Sequence, residues 1–231
     1  MRERLPKWIE ESVLPLLKAR LATERREAEV KVDGDQVLVL YAPLAAGTGY
    51  VRPMVLLEFG ARSTGEPFQT MAISCDASSH IPEVAFPEAS PQVMRAERTF
   101  WEKATAIHVF CRGGKVRGPD SFSRHWYDLV GLEQTGYAQS AIADRDVARS
   151  VARHKAAFFR ENDGSGNRIS YDEAVGGGLR LVPEDRAMEL LSQDYAAMLR
   201  DGLFFKEPPA FDGLMASCRA IQDRANAGAK Q

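Results

Sequence analysis

Near residue 96 the hydrophobic period of this chain changes from two to 3.6, so the molecule must build a sheet and a set of helices from separate stretches. Upstream of the change, "EVKVDGDQVLVLY" alternates on both sides of Asp33-Gly34, the pattern of a β-hairpin. "VRPMVLLEFG" supplies a third strand, and "PFQTMAISC" reads as its antiparallel neighbour across "RSTGE". Ahead of the strands, Leu5, Trp8, Ile9, Val13, Leu16, Leu17 and Leu21 recur at helical spacing and predict an amphipathic helix over 4–27, kinked at Pro15. Downstream, helices are predicted over 97–111, 122–133, 144–161, 184–200 and 211–228, joined by glycine-rich connections. The expectation is an α+β chain with a mainly sheet part, 1–96, and a helical bundle, 97–231.

Composition narrows the function classes only slightly. A formal net charge of −2 gives no global attraction to nucleic acid, so any such surface must be a local basic patch. The amino end lacks a continuous apolar segment, and nowhere do eighteen apolar residues run together, which predicts a cytoplasmic chain with no membrane contact. Cys75, Cys111 and Cys218 are odd in number and widely spaced, a poor basis for a disulfide framework or a cysteine zinc site. "DGSGNRISYDE" offers no register with the full ligand set of a calcium loop, and "GGG" at 176–178 lacks the Lys-Ser/Thr of a phosphate loop.

Three stretches carry candidate chemistry. In a strand, Met54, Leu56 and Glu58 share one face and Val55, Leu57 and Phe59 the other, so both faces look buried and Glu58 needs compensation. An ion pair with Arg62, four residues on, would provide it; a metal-binding or catalytic carboxylate is the alternative. In "ERTFWEKATAIHVFC", Phe100, Trp101, Ala104, Ile107 and Cys111 form a stripe with Lys103 at its edge and Glu102 roughly opposite. Lys103 is either a snorkelling lysine or a point charge aimed at a phosphate. "SFSRHWYDL" sets Arg124 and Asp128 at i,i+4 with the cation first, the weaker order for a purely helix-stabilising pair. With Arg112, Lys115, Arg117 and His125 this region forms a local cationic patch around flexible glycines. Arg145, Arg149 and Arg153 make a further row, a solvated face or an RNA contact.

Taken together, "VLLEFGARSTGEPFQT", "ERTFWEKATAIH" and "SRHWYDLVGL" resemble the AbiEii/AbiGii toxin family of nucleotidyltransferases, with "HKAAFF", "YDEA", "LRLVPEDR", "DYAAML" and "FDGL" following in order. The resemblance implies part of a nucleotidyltransferase-fold sheet followed by a helical bundle. It further implies magnesium-dependent transfer from an NTP, in some members onto tRNA ends, and an antitoxin partner. Residue by residue, Glu58 matches the carboxylate of the "EFGAR" strand, a third acid of the metal site. Lys103 matches the lysine that contacts the NTP phosphates, and Asp128 the aspartate close to that lysine, with Arg124 beside it. Arg62, Arg112, Lys115 and Arg117 are further phosphate-binding candidates.

The family's glycine turn and Asp-x-Asp pair should lie upstream of the first helix, where this chain begins, and "DGD" at 33–35 sits in a hairpin turn and does not replace them. One carboxylate does not complete a two-metal arrangement, so residues 1–231 are expected not to transfer nucleotides by themselves. The alternative is a non-catalytic helical module that binds RNA or the antitoxin.

Overall fold

The computed structural model describes residues 4–43, 46, 52–60, 65–113, 122–202, 204 and 207–229. The chain forms two compact units, 1–64 and 65–231, so the helices that begin near residue 96 share their unit with the chain from residue 65 onward.

The first unit opens with helical segments α1 (Arg4–Trp8) and α2 (Leu14–Thr23), joined by a π-helical turn over Ile9–Val13. Pro15 explains the turn. It has no N–H for the carbonyl of Glu11, and just ahead of it the Leu14 N–H reaches back five residues to the Ile9 carbonyl. The helical path then ends at Thr23, short of the expected residue 27. Strands β1 (Glu29–Asp33), β2 (Gln36–Leu40) and β3 (Met54–Glu58) form an antiparallel sheet in the order β1-β2-β3. Val37 and Val39 of β2 are buried, which gives the sheet its inner face. Trp8 meets Phe59 edge-on, ring centroids 5.7 Å apart.

The hairpin turns where the sequence predicts, with Asp33 opposite Gln36 and Gly34 at φ +61°. No atom lies within 4 Å of a Cβ built on Gly34, so a side chain there has room but the wrong backbone angle. Gly34→Val is therefore expected to cost about 1–2 kcal/mol, and Gly34→Asn clearly less, in chemical-denaturation curves of the full chain.

In the second unit, β4 (Phe68–Thr70) does not pair with β3 as expected. Its partner is β5 (Gln92–Met94), antiparallel in a separate two-stranded sheet, with Phe68 opposite Met94. Helices α3 (Ala96–Cys111), α4 (Arg124–Gln134), α5 (Tyr137–Ala143), α6 (Arg145–Phe158), α7 (Tyr171–Val175), α8 (Asp185–Arg200) and α9 (Phe211–Gly228) follow. The molecule is thus α+β, with helices dominating its carboxyl-terminal part. α3 is the central helix and packs against α4, α5, α6 and α7. Its Phe100, Trp101, Ala104 and Ile107 are fully buried, as are Trp126 and Leu129 of α4 and Leu214, Cys218 and Ile221 of α9. Both core tryptophans donate a hydrogen bond across the bundle: Trp101 Nε1 to the Ala141 carbonyl at 2.8 Å and Trp126 Nε1 to the Leu181 carbonyl at 2.7 Å. Among the described residues no helix is long and apolar enough to cross a membrane.

Candidate active site

The positions of Lys103 and Asp128 follow from how α3 and α4 pack. Lys103 leaves the apolar stripe of α3 at its edge, as its spacing predicts, and α4 crosses there because Trp126 and Leu129 bury its other side. The start of α4 is pinned from α8, where Asp194 Oδ2 accepts the Ser123 N–H at 2.8 Å. A carboxylate at a helix amino end is favoured by the exposed N–H groups there.

Lys103 Nζ then lies 2.7 Å from Asp128 Oδ2, the two side chains 23% and 39% exposed. The pair faces solvent on one side, so its ammonium remains reachable by a soluble anion. Asp128 takes Lys103 rather than Arg124, and no ion pair joins Arg124 to Asp128 among the described residues; the guanidinium of Arg124 is exposed. His125 sits one position on, edge-on to Phe122. Burial pushes its imidazole down to about 4, with the charges of Lys103 and Arg124 adding to the effect, so near neutral pH the ring adds no charge to a region already cationic.

The remaining candidates have environments of their own or lie outside the described residues. Glu58 belongs to the first unit and is exposed, which overturns the expectation of burial on both faces. The reason is that β3 is an edge strand, and Val55 and Leu56 beside Glu58 are exposed as well. Water and one amide suffice for the carboxylate: Gln36, directly opposite in the ladder, donates from Nε2 to Glu58 Oε1 at 2.9 Å. Arg62, Lys115 and Arg117 lie outside the described residues. Arg112 ends α3 and sits 3.7 Å from Glu173 Oε2. The arginine row of α6 is not uniform, since Arg145 donates to the Val175 carbonyl and Arg149 pairs with Asp146 at 2.9 Å.

Glu102 is placed differently from its expected position opposite the core. It accepts from Arg98 one turn earlier and pairs with Lys155 of α6 at 2.6 Å, two contacts of which only the i,i+4 spacing of Arg98 and Glu102 was visible in the sequence. His108, on the buried side of α3, accepts the Arg180 N–H through Nδ1 at 3.1 Å, which leaves its ring proton on Nε2. The cysteines are free, and burial pushes the Cys218 thiol up to about 12 and raises Cys111 as well, so neither is an activated nucleophile.

The fit to a divalent metal is poor. Among the described residues no three His, Cys, Asp or Glu side chains converge, and a single exposed carboxylate already bonded to an amide is one ligand of the several a magnesium ion takes.

The lysine and aspartate of two separate motifs, 25 positions apart, thus meet at one partly open spot on the helical unit. The family model described as "Nucleotidyl transferase AbiEii toxin, Type IV TA system" matches residues 1–217. The chain belongs to this family. No curated protein and no solved structure matches it. Membership in the AbiEii family implies an NTP substrate and an antitoxin partner at the level of the family.

Proposed function

We propose that this chain belongs to a cytoplasmic toxin–antitoxin pair whose family activity is nucleotidyl transfer to RNA, with tRNA the acceptor class, and that residues 1–231 by themselves bind a nucleoside triphosphate at Lys103 without transferring it. What supports the reading is the single contact between Lys103 and Asp128, at 2.7 Å and open to solvent. In nucleotidyl transfer an acceptor hydroxyl oxygen forms a bond to the α-phosphorus, the bond from that phosphorus to the β-phosphate bridge breaks, and the hydroxyl proton leaves to a base. Negative charge grows on the departing pyrophosphate, and a compact ammonium placed there stabilises it. Asp128 positions Lys103 for that contact, and Arg124, exposed on the same helix, is available to the outer phosphates. Glu58, an exposed strand-end carboxylate, is proposed as one ligand toward a divalent metal; no step here passes through that metal.

With only this carboxylate of the family's acid set in residues 1–231, the reading is that they bind NTP without transferring it. The test uses the full chain with each α-labelled NTP, magnesium and total tRNA. NTP should be retained, Lys103→Ala should weaken retention about tenfold, corresponding to about 1.4 kcal/mol, and no label should enter RNA. Unchanged retention by Lys103→Ala would overturn the role of the lysine. Label entering RNA and lost with Glu58→Ala would overturn the absence of transfer.

A further inference from the structure

The glycines at 176–178 lack the Lys-Ser/Thr of a phosphate loop, but the last of them lines a cavity of about 370 Å³ on the second unit. A Cβ on Gly178 would come within 2.6 Å of Glu173 Cγ, so the glycine lets Glu173 lie against the backbone where both line the cavity. Part of the lining is the chain at 179–181, whose successive N–H groups are each held by a side chain. Leu179 donates to Asn226 Oδ1 at 2.8 Å, Arg180 to His108 Nδ1 at 3.1 Å and Leu181 to Gln222 Oε1 at 2.8 Å. Asn226 Nδ2 returns a bond to the Leu179 carbonyl at 3.0 Å. Leu179 and Leu181 are buried, while the Arg180 side chain between them is 47% exposed. Arg219, Gln222 and Asn226 recur at i, i+3 and i+7, so one face of α9 reaches the same cavity.

The charges on this lining are incompletely matched. Arg219 is exposed and pairs with no carboxylate among the described residues. Arg180 has only Glu184, 4.0 Å away and 80% exposed, a contact of little strength. Glu173 is also drawn to Arg112, which lies 3.7 Å from its Oε2. With its Oε1 occupied by Leu181, Gln222 has the two hydrogens of Nε2 left over. Two guanidinium groups and an amide with uncommitted donors therefore line one cavity whose wall is already fixed, and an oxyanion satisfies them.

We propose that this cavity binds a phosphomonoester, with Arg180, Arg219 and Gln222 holding its phosphoryl oxygens. The planar forks of two arginines suit a doubly charged terminal phosphoryl group. Glu173 and Glu184, on the same lining, accept hydrogen bonds from hydroxyl or amino groups on the rest of the ligand and repel a longer polyphosphate. A nucleoside 5′-monophosphate combines these features, and a cavity of roughly 300–1,000 Å³ is the usual size for a small-molecule ligand. The phosphoryl group comes either from a free mononucleotide or from the phosphorylated end of an RNA strand. None of these residues belongs to the Lys103–Asp128 contact, so the proposal does not rest on the triphosphate reading.

The experiment titrates each ribonucleoside 5′-monophosphate, its parent nucleoside and inorganic phosphate into the full chain by calorimetry, with a thermal melt of each variant as the check on folding. At least one monophosphate should bind, more tightly than inorganic phosphate and at least tenfold more tightly than its nucleoside. Arg219→Gln removes an exposed side chain, so it should melt like wild type yet bind about tenfold more weakly, the effect of one lost charge-assisted contact. Arg219→Lys should recover only part of the loss, because an ammonium does not reproduce the fork. Arg180→Gln should weaken binding to a similar degree. A short RNA with a 5′-phosphate is compared with the same strand ending in a hydroxyl. Binding of the phosphorylated strand alone, weakened by Arg219→Gln, would extend the site to RNA ends; binding of mononucleotides only would assign it to free nucleotide, and either result upholds the proposal. Equal binding of the two strands, sensitive to the arginines, would overturn it in favour of a surface that reads internal backbone. Absence of binding by every monophosphate and by the phosphorylated strand would also overturn it. So would monophosphate binding that survives Arg180→Gln and Arg219→Gln but is lost with Lys103→Gln, a result that would leave the triphosphate reading standing.

Discussion

Trp126→Ala is expected to destabilise the helical unit by about 3–5 kcal/mol, lowering its melting temperature by roughly 10 °C. The indole is fully buried, and Phe110 and Phe122 both contact it, so truncation opens a cavity that side chains on four-residue helical spacing cannot easily fill. It also removes the donor to the Leu181 carbonyl, which is itself buried. Trp126→Phe separates the two effects. It keeps most of the ring but leaves that carbonyl unpaired, and should cost about 1–3 kcal/mol. A melting temperature for Trp126→Ala within 2 °C of wild type, the shift expected from well under 1 kcal/mol, would contradict this placement of α4. Because the same helix carries Asp128, folded Trp126→Phe should also retain NTP slightly less than wild type.

How far such features could be read in advance differs between residues. Trp126 was legible because Phe122, Trp126 and Leu129 share one helical face, and a stripe of that kind has one stable use. The long helices α3, α4, α6, α8 and α9 were legible for the same reason. α6 stops at Phe158, short of the predicted residue 161, where the Tyr171 hydroxyl donates to the Phe159 carbonyl, a tertiary contact no local pattern contains. α5 and α7 are too short to show a period, although Ser170 capping the Glu173 N–H left a trace as serine followed three residues later by glutamate.

The sheet was harder. β4 was assigned to its sequence neighbour, the usual choice, but its partner β5 arrives after more than twenty residues and is only three residues long. Glu58 was misplaced by a related error: an unbroken apolar run suggests burial on both faces, and only the strand order reveals an edge. The pairing of Lys103 with Asp128 was out of reach of spacing alone, since each residue by itself suited a snorkelling lysine or a helix pair. Family resemblance joined them, and packing of α4 on α3 supplies the physical cause.

Acid should act on this unit through His108. Burial, with the charges of Arg112 and Arg180 adding, lowers its imidazole from 6.5 to about 4, and the ring is fully enclosed with Nδ1 accepting the Arg180 N–H. The folded-state value lies below the unfolded one, so between pH 6.5 and 4 the unfolded chain binds the extra proton. Stability from this residue is therefore complete above pH 6.5 and is lost as the pH falls toward 4, by about 3 kcal/mol in all. Protonation at Nδ1 would also end its hydrogen bond from Arg180, turning an acceptor into a second donor facing a donor. His108→Gln keeps a side-chain acceptor but does not titrate, so its urea midpoint should change less between pH 7.5 and 4.5 than that of wild type. Equal slopes in the two proteins would assign the acid sensitivity to other groups, and an imidazole that titrates near 6.5 in the folded chain would contradict the enclosed position of the ring.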